Sequence, residues 1–276
     1  MIAVVGGTGT LGSVVVAELC ERGEAVRILS RNRPGSLPEH SEHRKLDLAA
    51  GGPGAGLELA AALEGAGVVI DAANNPTRPG PLMLEGSARL IAACDEAQVG
   101  HFIGVSIVGC ERVGIGYYKA KARQEELVRA SQVPWSLLRA TQFHELLDRA
   151  FTASSRFGFL AGGKAPLQPM PADSAGRELA GLATGEARLG AVEVAGPLRQ
   201  TLGELAGIWS EATWRRRARV PVPLVGRSCR AIADGAFTLP GAEGAGPDFR
   251  EWLAGRYGGR AGRYGGTARR YGVSGE

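Results

Sequence analysis

Two kinds of apolar pattern alternate along the first half of the chain. Short and nearly unbroken apolar runs at residues 1–5, 25–30, 67–70 and 102–105 read as strands covered on both faces, and a further strand is expected at 43–46. Between the first two, Leu11, Val14, Val15, Ala17, Leu19 and Cys20 recur with helical spacing up to Gly23, and further helical patterns span 57–63, 82–97 and 117–130. Pro134 opens one more strand at 135–138. Strands alternating with helices imply parallel pairing with crossovers on both faces, so residues 1–143 are expected to form a doubly wound α/β sheet of at least six strands. The glycines of 51–56 read as a flexible connection.

Beyond about Phe143 the alternation stops. A helix at 146–154, a Pro-rich extended piece at 165–171, a helix at 174–183, a strand at 191–194, a helix from Thr201 and a short helix near 249–253 follow. Residues 144–255 are therefore expected to form a small C-terminal α+β lobe. In open α/β sheets ligands bind outside the carboxyl ends of the strands, and such a lobe would cover that edge.

Composition changes this picture little, apart from the last 21 residues. Of the formal net charge of +4, all resides in 256–276, where five Arg face Glu276 alone. The segment repeats every seven residues, placing Tyr257, Tyr264 and Tyr271 in register without an apolar face to bury, so it reads as a disordered Arg/Gly/Tyr tail. Arg and Tyr together suit single-stranded nucleic acid, but three short copies on a neutral body disfavour that partner. No run approaches the ~18 apolar residues of a membrane helix and nothing before the first strand resembles a signal peptide, so a cytoplasmic protein with no membrane partner is expected. Cys20, Cys94, Cys110 and Cys229 lack CxxC spacing and read as buried thiols. His40, His43, His101 and His144 lack metal-type spacing, Trp135 reads as core, and Ser106 lies outside any G-x-S-x-G elbow, which argues against a zinc site and a serine hydrolase.

The strongest chemical signal is Gly6-Gly7-Thr8-Gly9-Thr10-Leu11-Gly12 between the first strand and the first helix. Gly6 permits the tight turn, Gly9 lets the backbone approach a pyrophosphate, and Gly12 lets helix and strand pack closely. In that context the motif marks a Rossmann-type dinucleotide site at which Gly6, Thr8, Gly9, Thr10, Leu11 and Gly12 meet the cofactor, its phosphates at the helix N-terminus. Where an NAD site usually has an acidic residue, this chain has Ser30, Arg31, Asn32 and Arg33. A guanidinium pairs with the 2′-phosphate that a carboxylate would repel, so NADP (NADPH) is the expected cofactor, with Arg31 the first choice of contact and Arg33 the second.

The glycine spacing, together with Phe102-Ile-Gly-Val-Ser-Ile-Val-Gly109, Tyr117-Tyr-Lys-Ala-Lys121, the segment 133–143 and Pro171-Ala-Asp-Ser-Ala-Gly-Arg-Glu-Leu-Ala180, resembles the NmrA-like branch of the atypical short-chain dehydrogenase/reductases over roughly residues 1–255. The resemblance implies that Asp47 and Leu48 lie beside the adenine, that Ala72, Ala73 and Asn74 line the cofactor, and that the segment from Arg139 through Thr141 to Phe143 flanks the nicotinamide. Tyr117 and Lys121 are four apart, on one helix face, and Ser106 ends the preceding strand, so the three can converge. The related reductases imply roles for them: serine steadies the substrate oxygen, tyrosine supplies the proton, and lysine holds the nicotinamide ribose and lowers the tyrosine pKa. The expectation is an NADPH-dependent reductase, monomeric or homodimeric, transferring hydride to a small carbonyl, quinone or enone. The alternative is a redox-sensing regulator that binds NADP without turnover. The missing acidic ribose ligand argues against sugar-nucleotide epimerisation.

Overall fold

The computed structural model describes residues 1–52, 54–222 and 226–264. In chain order its body begins with β1 (Ile2–Val5), α1 (Thr10–Glu21), β2 (Val26–Ser30), β3 (Ser41–Lys45), α2 (Ala55–Leu63) and β4 (Val68–Asp71). A π-helical turn, Gly80–Gly86, runs into α3 (Ser87–Glu96), followed by β5 (His101–Ile107), a short 3-10 turn at Cys110–Arg112, α4 (Gly116–Arg129) and β6 (Trp135–Ala140). Then come α5 (His144–Ser155), β7 (Phe159–Gly162), β8 (Pro166–Leu167), α6 (Ala172–Ala183), β9 (Ala191–Val194) and β10 (Gln200–Thr201). The chain closes with α7 (Leu202–Thr213), β11 (Ala218–Pro221), α8 (Arg227–Ala233) and α9 (Phe249–Tyr264).

Seven strands form one parallel sheet in the order β3-β2-β1-β4-β5-β6-β9. Successive residues of a strand face opposite ways, and β1 shows the result. Ile2 and Val4 pack with Val15, Val16 and Leu19 of α1 and with Leu179 and Ala180 of α6, whereas Ala3 and Val5 pack with Leu59 of α2, Leu90 and Cys94 of α3 and Val128 of α4. The winding direction reverses between β1 and β4, so the glycine turn after β1 lies at the switch point where such sheets bind ligands.

Two segments assigned to the lobe from sequence belong to the body instead. β9 extends the main sheet, with Leu138 opposite Val192. The small residues Ala175, Ala180 and Ala183 let α6 lie against α1 in the same core cluster. What remains of the lobe gathers around Phe151, Leu160, Leu205, Trp209, Phe249 and Leu253. It also contains a parallel pairing of β7 with β11, which carries no period-2 apolar signal to foretell it. The expected tail departs further. Helix α9 runs through Tyr264, and the buried Asp148 carboxylate accepts hydrogen bonds from Trp209 Nε1 at 2.7 Å, Arg256 Nε at 2.9 Å and Tyr257 OH at 2.8 Å. The first repeat is thus held by a buried acid 108 residues upstream of Arg256, a partner that local patterning cannot reveal. Residues 265–276 lie outside the described residues.

Candidate functional site

The glycine turn is built for close approach. Gly6 has φ +74°, and a Cβ there would stand 2.8 Å from Ala73 Cα, so the turn lies directly on the end of β4. A Cβ on Gly12 would overlap the Gly6 carbonyl oxygen, which only glycine avoids. Helix α1 starts at Gly9 without a side-chain cap and with no acid in its first turn. Its leading N–H groups, at the positive end of the helix dipole, therefore suit an anionic phosphate. Thr8 and Gly9 are exposed, Thr10 is half-buried, and Leu11 and Gly12 are buried in the helix contact. From the lobe, Arg149 on α5 donates to the Thr10 hydroxyl and places a cation at the mouth of this turn.

Beside the turn opens a cavity of about 450 Å³ lined by Gly7, Thr8, Ser13, Asn32, Arg33 and Ser36, among others. Ser30 is buried and shapes this wall, donating to the Asn32 carbonyl at 2.7 Å and pairing with His43 Nε2 at 3.1 Å. Arg31 is exposed and lies outside the lining, so the cation facing the cavity is Arg33, the second choice from sequence. On a continuing strand the two arginines would share a face, but the chain bends after Ser30, and only Arg33 reaches the cavity. The glycine cradle, the uncapped helix and a polar cavity with a guanidinium together fit the phosphates and adenosine end of a dinucleotide.

The remaining residues that the resemblance places beside the cofactor fall into two groups. Asp47 is exposed and accepts from Ala49 N at 3.1 Å; Leu48 is buried, with its carbonyl bonded by Arg89 at 2.9 Å. Ala72 and Ala73 are half-buried against Gly6, and Asn74 is exposed at the same edge. Thr141, by contrast, is buried and donates to the Gln168 carbonyl at 2.6 Å, which ties β6 to the segment before α6.

Farther along the edge, Tyr117 begins α4, half-buried and with its ring 5.4 Å from that of Tyr118. Burial pushes its phenol up to about 12, and a hydrogen bond with the Asn74 side chain offsets this in part. Tyr118 packs against Phe237, ring centroids 4.4 Å apart and tilted by 35°, so the segment between α8 and α9 covers this side of the edge. Lys121 is only 3% exposed. Its Nζ donates to the Val105 carbonyl at 2.8 Å and to Gln124 Oε1 at 2.9 Å. The Gln124 amide in turn donates to Asp71 Oδ2 at 3.0 Å, and Ser87 donates to the same oxygen at 2.8 Å. Burial lowers the Lys121 pKa and raises that of Asp71, and each charge opposes the other's shift. The Lys121 ammonium is thus turned toward Asp71 through Gln124, and what shifts the Tyr117 phenol is burial, with Asn74, Tyr118 and Cys110.

Ser106 is also committed inward. Its hydroxyl lies 3.6 Å from Cys110 Sγ, whose thiol is 3.5 Å from the Glu125 carboxylate. Burial pushes the Cys110 thiol up to about 11, with Glu125 and Glu111 adding to the effect. Glu125, 2% exposed, is gripped by Arg139 at 2.9 and 2.6 Å and by Arg129 at 2.6 Å. Burial alone would raise its pKa, but the bonds from Arg139 with the Arg139 and Arg129 charges hold it below the ordinary carboxylate range. Arg33 was only the second choice, and the Arg149 contact and the Asp71–Gln124 and Glu125–Arg139 networks were not assigned from sequence as site features. Each joins residues far apart in the chain, and only the basic run after β2 gave a local signal.

A family model described as NAD(P)H-binding matches residues 6–155. The chain is 30% identical over 171 residues to the chloroplastic protein TIC 62 of Pisum sativum, an alignment covering 50% of this chain and 32% of that protein. The chain thus spans about a third of the length of that curated relative. Among solved structures, the NADPH complex of an NADPH-dependent quinone oxidoreductase from Escherichia coli superposes with a TM-score of 0.76 at 16% identity, over 93% of this chain and 100% of that one. The NADP(H) complex of triphenylmethane reductase from Citrobacter sp. gives 0.74 at 18% identity, over 93% and 99%. Other structures of this fold hold NAD. No helix among the described residues is long and apolar enough to cross a membrane. With the glycine turn, the seven-stranded sheet and the matching family model in place, the chain belongs to the NAD(P)H-binding family, and it shares its fold with the quinone oxidoreductase and the triphenylmethane reductase.

Proposed function

We propose that this chain is an NADPH-dependent reductase that passes hydride to a small acceptor, and that quinones and enones suit it better than simple ketones. The observation that carries the reading is the Tyr117 phenol. It lies beside Asn74, on the edge where Ala73 abuts the glycine turn, and burial keeps it protonated at neutral pH. Bound NADPH supplies the hydride. Tyr117 donates a hydrogen bond to the acceptor oxygen as negative charge builds there, and solvent completes the protonation. A phenol held near 12 keeps its proton against a hydroquinone-type anion of pKa ~10, so it stabilises that delocalised anion by a hydrogen bond alone, whereas a simple alkoxide calls for full proton transfer. Ser106 and Lys121 act as positioning residues, fixing the ends of β5 and β4 around the acceptor. The 2′-phosphate of NADPH falls to Arg33, and Arg149 supports the pyrophosphate.

The inward commitment of Ser106 and Lys121 also favours a second reading, an NADP-binding sensor without turnover. NADPH consumption with a panel of quinones, enones and ketones decides between them. The expected result is quinone turnover that falls roughly tenfold in Tyr117→Phe, the loss of one hydrogen bond, at unchanged cofactor affinity. Equal turnover in Tyr117→Phe removes the tyrosine from the chemistry. No turnover with any acceptor, alongside clearly different affinities for NADPH and NADP⁺, establishes the sensor instead.

A further inference from the structure

One face of the lobe combines exposed aromatic rings with a cluster of exposed basic side chains. The parallel pair β7 and β11 sets Phe159 opposite Ala218 and Ala161 opposite Val220. Arg215 Nη1 reaches Ser155 Oγ at 3.4 Å and Arg217 Nε reaches the Ser155 carbonyl at 3.1 Å, so the segment after Trp214 runs along the end of α5, just before Arg156 and Phe157. Phe157 and Trp214 are each 81% exposed, and Phe159, Val220 and Val222 are exposed with them. Trp214 also ends α7 in the left-handed region, φ 57°, a position that glycine or asparagine fills at least cost. Neither burial nor backbone preference accounts for an indole there.

Around these side chains lie Arg156, Lys164, Arg215, Arg216, Arg217 and Arg219, all exposed. Residues 156–164 and 214–222 contain no carboxylate, and Glu211 of the adjoining helix is engaged by Arg250 at 2.8 Å. An exposed patch of this kind marks an interaction site, and its charge selects an anionic partner.

We propose that this face docks on an anionic lipid bilayer, with Phe157 and Trp214 entering the interface and the surrounding arginines and Lys164 held at the headgroups. Aromatic rings with a polar edge favour that depth, and each cation near an anionic surface strengthens attachment roughly fivefold. Single-stranded nucleic acid would also take arginines and rings, but it gains nothing from Val220, Pro221 and Val222, which offer no π-face for a base. This is attachment to a surface without a membrane-spanning helix, and it is independent of the reaction assigned to the sheet edge.

The test is co-sedimentation of the full chain with vesicles of phosphatidylcholine alone and of phosphatidylcholine mixed with phosphatidylglycerol, over a salt series. Arg216→Glu and the pair Phe157→Ser with Trp214→Asn are measured beside the wild type; asparagine suits the left-handed backbone at 214, and circular dichroism confirms the fold of each. The proposal expects binding to the mixed vesicles only, weakened by salt, and reduced roughly tenfold or more in both variants. It is overturned if the wild type does not sediment with mixed vesicles at low salt, if it sediments equally with both lipids, or if the variants match it. A single-stranded oligonucleotide that binds the wild type but neither variant, where vesicles bind neither protein form, assigns the face to nucleic acid and overturns it as well.

Discussion

The two halves of the sheet's carboxyl edge treat their polar groups in opposite ways. Around β1 and β2 the helix N-terminus is uncapped and Arg33 faces an open cavity. Around β5 and β6 nearly every polar side chain is already engaged within the protein: Lys121 by Val105 and Gln124, Asp71 by Ser87 and Gln124, Glu125 by Arg129 and Arg139. Unsatisfied donors beside empty volume mark a place for a ligand, whereas buried charges satisfied internally mark a place that holds its own shape. Residues sharing one motif therefore divide between the two roles, and within Tyr117-Tyr-Lys-Ala-Lys121 only Tyr117 stays at the working edge.

The sharpest way to break this contrast is Lys121→Met. If Lys121 belongs to the closed network, its loss leaves Asp71 buried without its counter-charge, and stability falls by about 3–5 kcal/mol, read by urea unfolding. Adding Asp71→Asn should recover most of that loss, since the uncompensated charge goes with it. A Lys121→Met chain as stable as the wild type but without turnover would move the lysine to the open edge.

His144 extends the comparison to the lobe. Its ring is fully buried between α5 and α9, 5.2 Å from Phe249, with Nε2 3.1 Å from the Pro247 carbonyl, and burial lowers its pKa to about 4. Between the unfolded value of about 6.5 and the folded value of about 4, the unfolded chain binds the extra proton. Stability is therefore lost as pH falls through that window, by about 3 kcal/mol, and the loss ends below it. Urea unfolding of wild type and His144→Gln across pH 7 to 4 isolates this part; parallel pH profiles would show that the buried imidazole contributes nothing.

The smallest effect belongs to Arg149, which reaches the glycine turn from the lobe. Arg149→Ala should weaken NADPH and NADH alike by roughly fivefold, because a partly exposed cation at the pyrophosphate contributes about 1 kcal/mol to both. A selective loss of NADPH affinity would place Arg149 at the 2′-phosphate instead.

The sheet was legible because fully buried parallel strands leave continuous apolar runs, and β1, β2, β4 and β5 fall where those runs lie. Helix α6 and strand β9 were misplaced because their periodicity states the element and not its partner, and α6 is separated from its partner α1 by some 150 residues. At the site, the glycine turn was readable since its chemistry is local. Arg33 could be ranked only second to Arg31, because which arginine turns inward depends on the path of the chain after β2. The inward contacts of Ser106 with Cys110 and of Lys121 with Val105 and Gln124 carry no mark in the sequence, since they depend on how α4 packs on β5. The Asp148 clamp on Arg256 and Tyr257 was missed for the same reason.

The most direct test of the open edge is calorimetric titration of NADPH and NADH into wild type, Arg33→Ala and Arg31→Ala. With Arg33 at the cavity wall, wild type binds NADPH tighter than NADH by roughly tenfold to a hundredfold, the contribution of one charge-assisted contact. Arg33→Ala should abolish that preference without changing NADH affinity, and Arg31→Ala should leave it nearly intact. Equal affinities in the wild type, or a preference that survives Arg33→Ala, would contradict the account.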